Sequence, residues 1–282
     1  MLYGCPRRWD HRIALAAVLG LMLSPCARAQ QRPLWEFGMG LGGAVFNDYR
    51  GATSSHGYPL PVPYFIYRGD LLRSDSSGVR GLFLQRRLVE FNVSVNAAPP
   101  VFNSPARAGM PSLYSSVEVG PALQWHLWAG DDRRLKVDLL TPVRDAITLS
   151  GPPHSIGWRF TPALNLDYRS AGIAAGWDFG LLAGPEYADR RYHEYYYQVT
   201  ARYATGVRPA YDPSGGYSGA QLLVSASRRF PRYWIGAYLR HDWLQGAAFA
   251  TSPLVQTHSY WSTGIGYVWM ISASSRMVES DE

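Results

Sequence analysis

A two-residue alternation of side-chain size constrains the fold of this chain more than any other feature of its sequence. Between Trp261 and Ile271 the odd positions carry mostly bulky apolar residues, and the even positions carry mostly small ones. The same alternation recurs in the segments 35–42, 116–127, 158–167 and 173–181. A period of two is the period of a β-strand and not of a helix. The sequence therefore predicts an all-β protein.

The second face of these segments separates two kinds of β-protein, because its residues are small or charged. A soluble sandwich buries its large side chains in a shared core, whereas a membrane barrel turns them toward lipid and lines its lumen with small and polar residues. Aromatic residues at the segment ends and the lengths of the segments favour the barrel. Because an open sheet cannot span lipid, we expect a closed antiparallel transmembrane β-barrel.

The first residues have the composition of an export signal. Arginines precede the uncharged run 13–23, and small residues follow it at 27–29. This pattern predicts a cleaved signal peptide over 1–29, with cleavage between Ala29 and Gln30. An export signal fits a membrane barrel.

The predicted mature chain, 30–282, is divided into a barrel over 30–271 and a C-terminal extension over 272–282. Both cysteines, Cys5 and Cys26, are lost with the signal, which excludes disulfides and cysteine–metal sites. Removing the signal's four arginines and one aspartate lowers the formal net charge from +6 to +3. A nucleic-acid-binding function therefore loses its main support, and no cofactor is expected.

Twelve strands are predicted, with ten as the alternative. They lie near 34–45, 60–68, 78–85, 88–96, 113–128, 134–140, 156–168, 172–183, 192–201, 217–228, 232–241 and 258–271. Longer connectors are predicted at 46–58, 97–112, 141–155, 202–216 and 242–257, where proline, glycine and asparagine accumulate.

Motifs that suggest catalysis or nucleotide binding have simpler explanations. The glycine pattern at 38–43 follows no strand and precedes no predicted helix, so it fits lumen-facing glycines better than a dinucleotide loop. Tyr195 and Tyr197 fit an interfacial aromatic girdle. The histidines show neither a nucleophile elbow nor a metal-ligand spacing. We therefore expect no enzymatic activity.

Charged residues at inward positions could line a selective pore or neutralise one another as a plug, and the plug is the preferred interpretation because arginine pairs bidentately with carboxylates. The candidate lumen residues are Glu36, Glu118, Arg159, Asp167, Asp178, Glu194 and Arg240.

Taken together, strands and connectors resemble the MipA/OmpV family of outer-membrane proteins, also called MltA-interacting proteins. The resemblance extends over nearly all of 34–271, but two features depart from the family. Residues 272–282 follow the last strand, where family members usually end on an aromatic residue, and Ser112 replaces a common acidic residue. The matching blocks lie at 60–64, 67–70, 106–113, 117–121, 141–144, 157–162, 184–189, 195–199, 208–212, 215–219 and 252–255.

The resemblance implies a barrel in the outer membrane of a Gram-negative bacterium, in contact with outer-membrane lipid and lipopolysaccharide. It also implies a scaffold that binds a lytic transglycosylase and a peptidoglycan synthase. A narrow porin or small-solute channel is the alternative function. With twelve strands and both termini in the periplasm, the connectors 97–112 and 141–155 are predicted to face the murein layer, or to close the lower mouth of the barrel. The candidate interaction residues are Arg107, Gly109, Met110, Pro111, Pro142 and Arg144.

Overall fold

The computed structural model describes residues 30–68, 72–75, 78–81, 84–85, 88–102, 104–149 and 152–280. The predicted signal peptide, 1–29, lies outside the described residues, so the expected cleavage after Ala29 stays a prediction. The described residues divide into a large unit, Pro33–Val278, and a small unit formed by the two chain ends. In the described part, no helix is long and apolar enough to cross a membrane.

The structure is a mostly antiparallel β-sheet protein with one α-helix in its described part, as the alternation predicted. The helix, α1, spans Arg190–Tyr197. A two-stranded sheet pairs β1 with β16, and the remaining strands form one large sheet. The strands are β1 Gln30–Pro33, β2 Trp35–Asn47, β3 Ser55–Arg68, β4 Leu72–Asp75, β5 Gly78–Gly81, β6 Leu84–Gln85, β7 Val89–Ala98, β8 Ser116–Ala129, β9 Leu135–Thr148, β10 Ser155–Phe160, β11 Ala163–Arg169, β12 Trp177–Ala188, β13 Gly216–Arg229, β14 Tyr233–Trp243, β15 Ser259–Ala273 and β16 Met277–Ser280.

The large sheet begins at β5 and ends at β6, which are consecutive along the chain. Its order is β5-β4-β3-β2-β15-β14-β13-β12-β10-β9-β8-β7-β6, and β11 continues the line of β10 between β9 and β12. The first strand in this order, β5, also has Cα atoms within 8 Å of β7, near the other end of the order.

The predicted and observed elements differ at three places. The expected strand at 192–201 is wrong, because α1 and a short turn occupy this segment. A strand that was not predicted, β4, follows β3. The expected connector at 141–155 is mostly strand, since β9 extends to Thr148 and only 149–154 connect it to β10.

The register places all long connectors at one end of the large sheet. Asn47 pairs with Ser55, Ala98 with Ser116, and Ser116 with Thr148, so these strand ends lie side by side. We call this the connector end; it carries 48–54, 99–115, 149–154, 189–215 and 244–258. The other, the terminus end, carries the short turns 130–134, 170–176 and 230–232, together with the start of β2 and the end of β15.

The two faces of the sheet match the predicted alternation. In β2, Phe37, Met39 and Leu41 are exposed on the outer face, whereas Glu36 on the inner face is buried. Exposed bulky residues continue around the outer face on β8, β11, β12, β14 and β15. The glycine pattern at 38–43 lies inside β2, where a Cβ on Gly40 would come within 1.8 Å of the Tyr267 carbonyl oxygen. These glycines therefore let β2 and β15 approach closely and do not form a phosphate-binding loop.

Candidate functional site

Helix α1 closes part of the connector end and begins at a side-chain cap. The Oδ1 of Asp189 accepts a hydrogen bond from the backbone N–H of Tyr192 at 2.9 Å, which satisfies one free donor of the first turn. A β-bulge at Gly157 in the neighbouring β10 makes room for this cap. Gly157 has a φ of +127°, and a Cβ there would lie 2.2 Å from Asp189 Oδ1. The helix can therefore dock only because residue 157 has no side chain.

His193 fixes the inner face of α1 to the start of β13. Its Nδ1 lies 2.6 Å from the Ser214 carbonyl oxygen, which can only accept, so Nδ1 carries the proton. Its Nε2 lies 2.7 Å from Ser218 Oγ, which donates to it in the neutral ring. Burial lowers the pKa of His193 and favours this neutral form. Although a Ser–His contact resembles a nucleophilic pair, both side chains are buried, and Phe249 packs against the imidazole at 4.9 Å.

Aromatic residues from distant connectors form a second core at this end, which we call the cap. Tyr197 of α1 stacks on Phe249 with ring centroids 3.7 Å apart. The hydroxyl of Tyr49 donates to the Leu254 carbonyl at 2.8 Å, and that of Tyr197 donates to the Arg50 carbonyl at 2.9 Å. Burial raises the pKa of Tyr49 to about 12, so this hydroxyl stays a donor at any physiological pH. The predicted interfacial role of Tyr195 and Tyr197 is wrong, because Tyr197 is buried and Tyr195 packs against the cap.

Beneath the cap, inward charges from several strands form one network. Arg159 of β10 donates to Glu118 of β8 at 2.7 Å and also to Glu186 of β12. Arg144 of β9 lies 3.3 Å from the same Glu118. All four side chains are at least mostly buried. The network therefore joins strands β8, β9, β10 and β12 on the inner face of the sheet.

The network continues to β14 and to the cap. Arg240 lies 3.0 Å from Glu186 and 2.7 Å from Asp242. Arg50, in the connector 48–54, reaches down to Glu186 at 2.8 Å and to Asp242 at 3.1 Å. Carboxylates and guanidinium groups thus alternate, so that each buried charge has a partner of opposite sign.

Most of the predicted lumen residues occupy inward positions. Glu36 pairs with Arg229 at 2.5 Å, and Asp178 pairs with Arg169 at 3.2 Å near the terminus end. Asp167 accepts from Asn165 at 2.7 Å and is exposed, like Asp178. Glu118, Arg159 and Arg240 belong to the network described above.

Glu194 is the exception among the predicted lumen residues. It lies on α1 and pairs with Arg190 of the same helix at 2.6 Å. The assignment of Glu194 to the lumen is therefore wrong, because it assumed a strand at 192–201.

Four predicted interaction residues, Arg107, Gly109, Met110 and Pro111, line one cavity of about 350 Å³ in the connector 99–115. Arg107 is buried and donates to the carbonyls of Tyr196 at 2.8 Å and Pro111 at 3.3 Å. Burial lowers the pKa of Arg107. Arg107 therefore ties its connector to α1.

The predicted placement of these residues needs correction. The connector 99–115 lies at the end of the sheet opposite the start of β2 and the end of β15, because β4 adds a strand that the sequence did not reveal. Pro142 and Arg144 lie within β9 and not in a connector, and Arg144 points inward to Glu118. A partner-binding role for these positions stays a prediction.

Three network residues were missed at the sequence level. Glu186 and Asp242 share the inward parity of Asp178 and Arg240, so the alternation could have identified them. Arg50 lies in a connector, and no local signal marks a side chain that reaches into the interior.

The solved structures that match this chain are only weakly similar to it. The outer-membrane protein OprG from Pseudomonas aeruginosa is 8% identical with a TM-score of 0.24, covering 86% of this chain and 95% of that one. The toluene transporter TodX from Pseudomonas putida is 12% identical with a TM-score of 0.29, covering 90% of this chain and 72% of that one. No curated protein sequence is significantly similar to the chain.

A family profile gives the stronger comparison. The profile described as "MltA-interacting protein MipA" matches residues 39–271, which include β3 to β14 and most of β2 and β15. The resemblance inferred from the sequence blocks is thereby confirmed. The chain belongs to the MipA family of MltA-interacting proteins.

Proposed function

We propose that this protein is a closed β-barrel of the Gram-negative outer membrane that acts as a scaffold for peptidoglycan-processing enzymes. The family description supports a partner of the lytic transglycosylase class. The exposed bulky belt on the outer face and the charged inner face support a membrane barrel.

The two ends of the sheet support closure of the barrel. β5 pairs with β4 and β6 pairs with β7, yet only residues 82–83 separate β5 from β6 along the chain. If β5 and β6 form one strand, and β10 and β11 are counted as another, the sheet has twelve strands and no free edge. A sheet without an edge satisfies its backbone groups within the bilayer.

Orientation follows from connector length. Outer-membrane barrels have short periplasmic turns and longer outward loops, so the short turns of the terminus end support a periplasmic location for that end. An enzyme bound to murein then meets the turns 130–134, 170–176 and 230–232. Exposed arginines such as Arg134 and Arg232 make this end suitable for an acidic partner surface.

The observation that favours a scaffold over a channel is the contact of Arg159 with both Glu118 and Glu186 beneath the cap. This buried network lies across the interior, and the aromatic cap covers it. A solute would have to separate several buried ion pairs before it could pass.

A narrow channel is the second candidate, because the interior near the terminus end keeps exposed carboxylates. Asp167 and Asp178 are exposed on the inward face, below the network. Such a vestibule could admit small solutes if the cap and Arg50 move together.

Two measurements on the purified full-length protein separate these functions. A pull-down from solubilised envelope should retain a lytic transglycosylase, whereas planar-bilayer recordings should show no steady conductance. Retention should fall for the double variant Arg134→Glu, Arg232→Glu. It should persist for the double variant Arg191→Glu, Arg202→Glu, whose exposed side chains lie at the connector end.

The double variant Arg50→Ala, Arg159→Ala, tested only as folded protein, serves as the positive control for an open, conducting interior. Steady conductance of the unmodified protein without any retained enzyme would establish the channel instead.

A further inference from the structure

An apolar groove of about 620 Å³ crosses the outer face of the sheet from β12 to β2. The register explains its shape. Ala226 and Ala237 are directly opposite each other and form a low floor. The outward residues on the next row toward the connector end, Val224 and Leu239, are larger and exposed. The floor is therefore a depression within a bulky outer surface.

Trp177 and Ile235 border this floor toward the terminus end, and an arginine stands between them. Arg228 is the register partner of Trp177 on β12 and of Ile235 on β14, so its side chain is on the same outer face. Its Cζ lies 4.8 Å from the ring centroid of Phe230 and 6.0 Å from that of Trp177. The rings fix the guanidinium plane and leave its N–H edge available for an anion.

Within the part of the chain that the structure describes, the Arg228 guanidinium has no ion-pair partner. A cation on the outer face of a membrane barrel is tolerated near the interface and is costly deeper in the bilayer. Arg228 is the second-last residue of β13, at the terminus end. The side chain therefore lies where lipid headgroups begin.

We propose that the groove and Arg228 form a binding site for an anionic phospholipid of the periplasmic leaflet. The lipid phosphate pairs with Arg228, and one acyl chain lies on the floor of Ala226 and Ala237. The exposed side chain of Ile265, the register partner of Ala237, borders this floor toward Gly43. The groove crosses five strands, so its width is about 19 Å at a strand spacing of about 4.8 Å. The proposal rests on the membrane location and orientation proposed above, but not on the scaffold role.

Charge favours a lipid over a second copy of this chain. A twofold interface centred on the groove would bring the same residues of both copies together. Two Arg228 side chains would then lie close to each other without a carboxylate between them. A phospholipid instead supplies one negative charge at the end of one apolar chain.

The test is native mass spectrometry of the full chain in detergent, titrated separately with phosphatidylglycerol and phosphatidylcholine. Only protein that shifts on gels when boiled, and is therefore folded, enters the comparison. We expect phosphatidylglycerol to bind at least about tenfold more tightly than phosphatidylcholine, as one charge-assisted hydrogen bond to phosphate allows. Arg228→Gln should abolish this preference, and Ala237→Phe, which fills the floor, should weaken binding of both lipids.

Two matched variants control for charge and bulk. Arg134→Gln removes another arginine of the terminus end, and Leu239→Phe adds an aromatic ring on the same strand beside the groove; both should bind phosphatidylglycerol like the unmodified chain. Equal affinity for the two lipids, or an unchanged preference in Arg228→Gln, would overturn the proposal. The proposal would also be overturned if the unmodified protein were a dimer and the Ala237→Phe variant were a monomer. Because lipid binding is measured on isolated protein, its failure is distinguishable from a failed pull-down of cell-wall enzymes.

Discussion

The guanidinium of Arg50 lies 2.8 Å from the carboxylate of Glu186. A residue of the connector 48–54 therefore pairs with a residue of β12 on the inner face of the sheet. Glu186 also accepts from Arg159 and Arg240, and its side chain is only 1% exposed. One carboxylate thus joins the cap to strands β10, β12 and β14.

Glu186→Gln is expected to destabilise the folded protein by about 3 to 5 kcal/mol, because removing one partner leaves buried charges uncompensated. Urea unfolding followed by tryptophan fluorescence measures the free energy of unfolding. Asp178→Asn is the matched control, since Asp178 pairs with Arg169 but is 51% exposed; it should cost less than about 1 kcal/mol. Equal costs for the two variants would contradict the central role of Glu186.

The two faces of β11 allow a direct test of the lipid-facing surface. Leu164→Arg places a charge on the outer face, where the side chain is 53% exposed, and should cost about 2 to 4 kcal/mol at mid-bilayer depth. Asn165→Arg, one residue away, points inward beside Asp167 and should be tolerated. The measurement is the fraction of protein that folds into lipid vesicles and resists trypsin. If Asn165→Arg folds worse than Leu164→Arg, the assignment of faces is wrong.

Gly157→Ala should detach α1 from β10. Its φ of +127° implies a backbone strain of about 1 to 3 kcal/mol, and the new Cβ would meet the Asp189 cap. Limited proteolysis of the connector 189–215 should become faster. Gly109→Ala is the control, because Gly109 also has a positive φ but nothing lies within 4 Å of a Cβ there. Equal proteolysis of both variants would show that strain, and not the cap contact, decides docking.

Docking of α1 should weaken as the pH falls below about 6.5, the ordinary pKa of histidine. Burial lowers the pKa of His193 in the folded state, so the folded state binds fewer protons than the unfolded state. The contribution of His193 is therefore complete above about 6.5 and is lost as the pH falls toward its folded pKa. Hydrogen exchange of the α1 amides at pH 7.5 and 5.0 measures this loss. His193→Gln, which keeps a donor and an acceptor, should remove the pH dependence; an unchanged dependence would point to another group.

The sequence was sufficient to predict the strands that alternate regularly and the direction in which their side chains point. It failed at β4, whose four residues are too few to show a period. It also failed at α1, where several tyrosines suggested a strand. The helical signal was present: Asp189 is a good N-cap, and His193, Tyr196 and Tyr197 fall on one helical face.

The failure to predict β4 also changed the predicted positions of the connectors that follow it, because each strand reverses the direction of the chain. Without it, the connector 99–115 was assigned to the wrong end. The cap itself could not be predicted, because contacts such as Tyr197 on Phe249 join segments that are distant in sequence and have no local pattern.

The cap draws its buried residues from four of the long connectors, 48–54, 99–115, 189–215 and 244–258. Where connectors pack independently of one another, each connector can accept substitutions separately. Here a change at Phe249 alters the packing of Tyr197 and of His193, which belong to another loop. Substitutions at this end are therefore tolerated best at rim positions such as Val207, which is 94% exposed, and the packed residues of the connectors must change together.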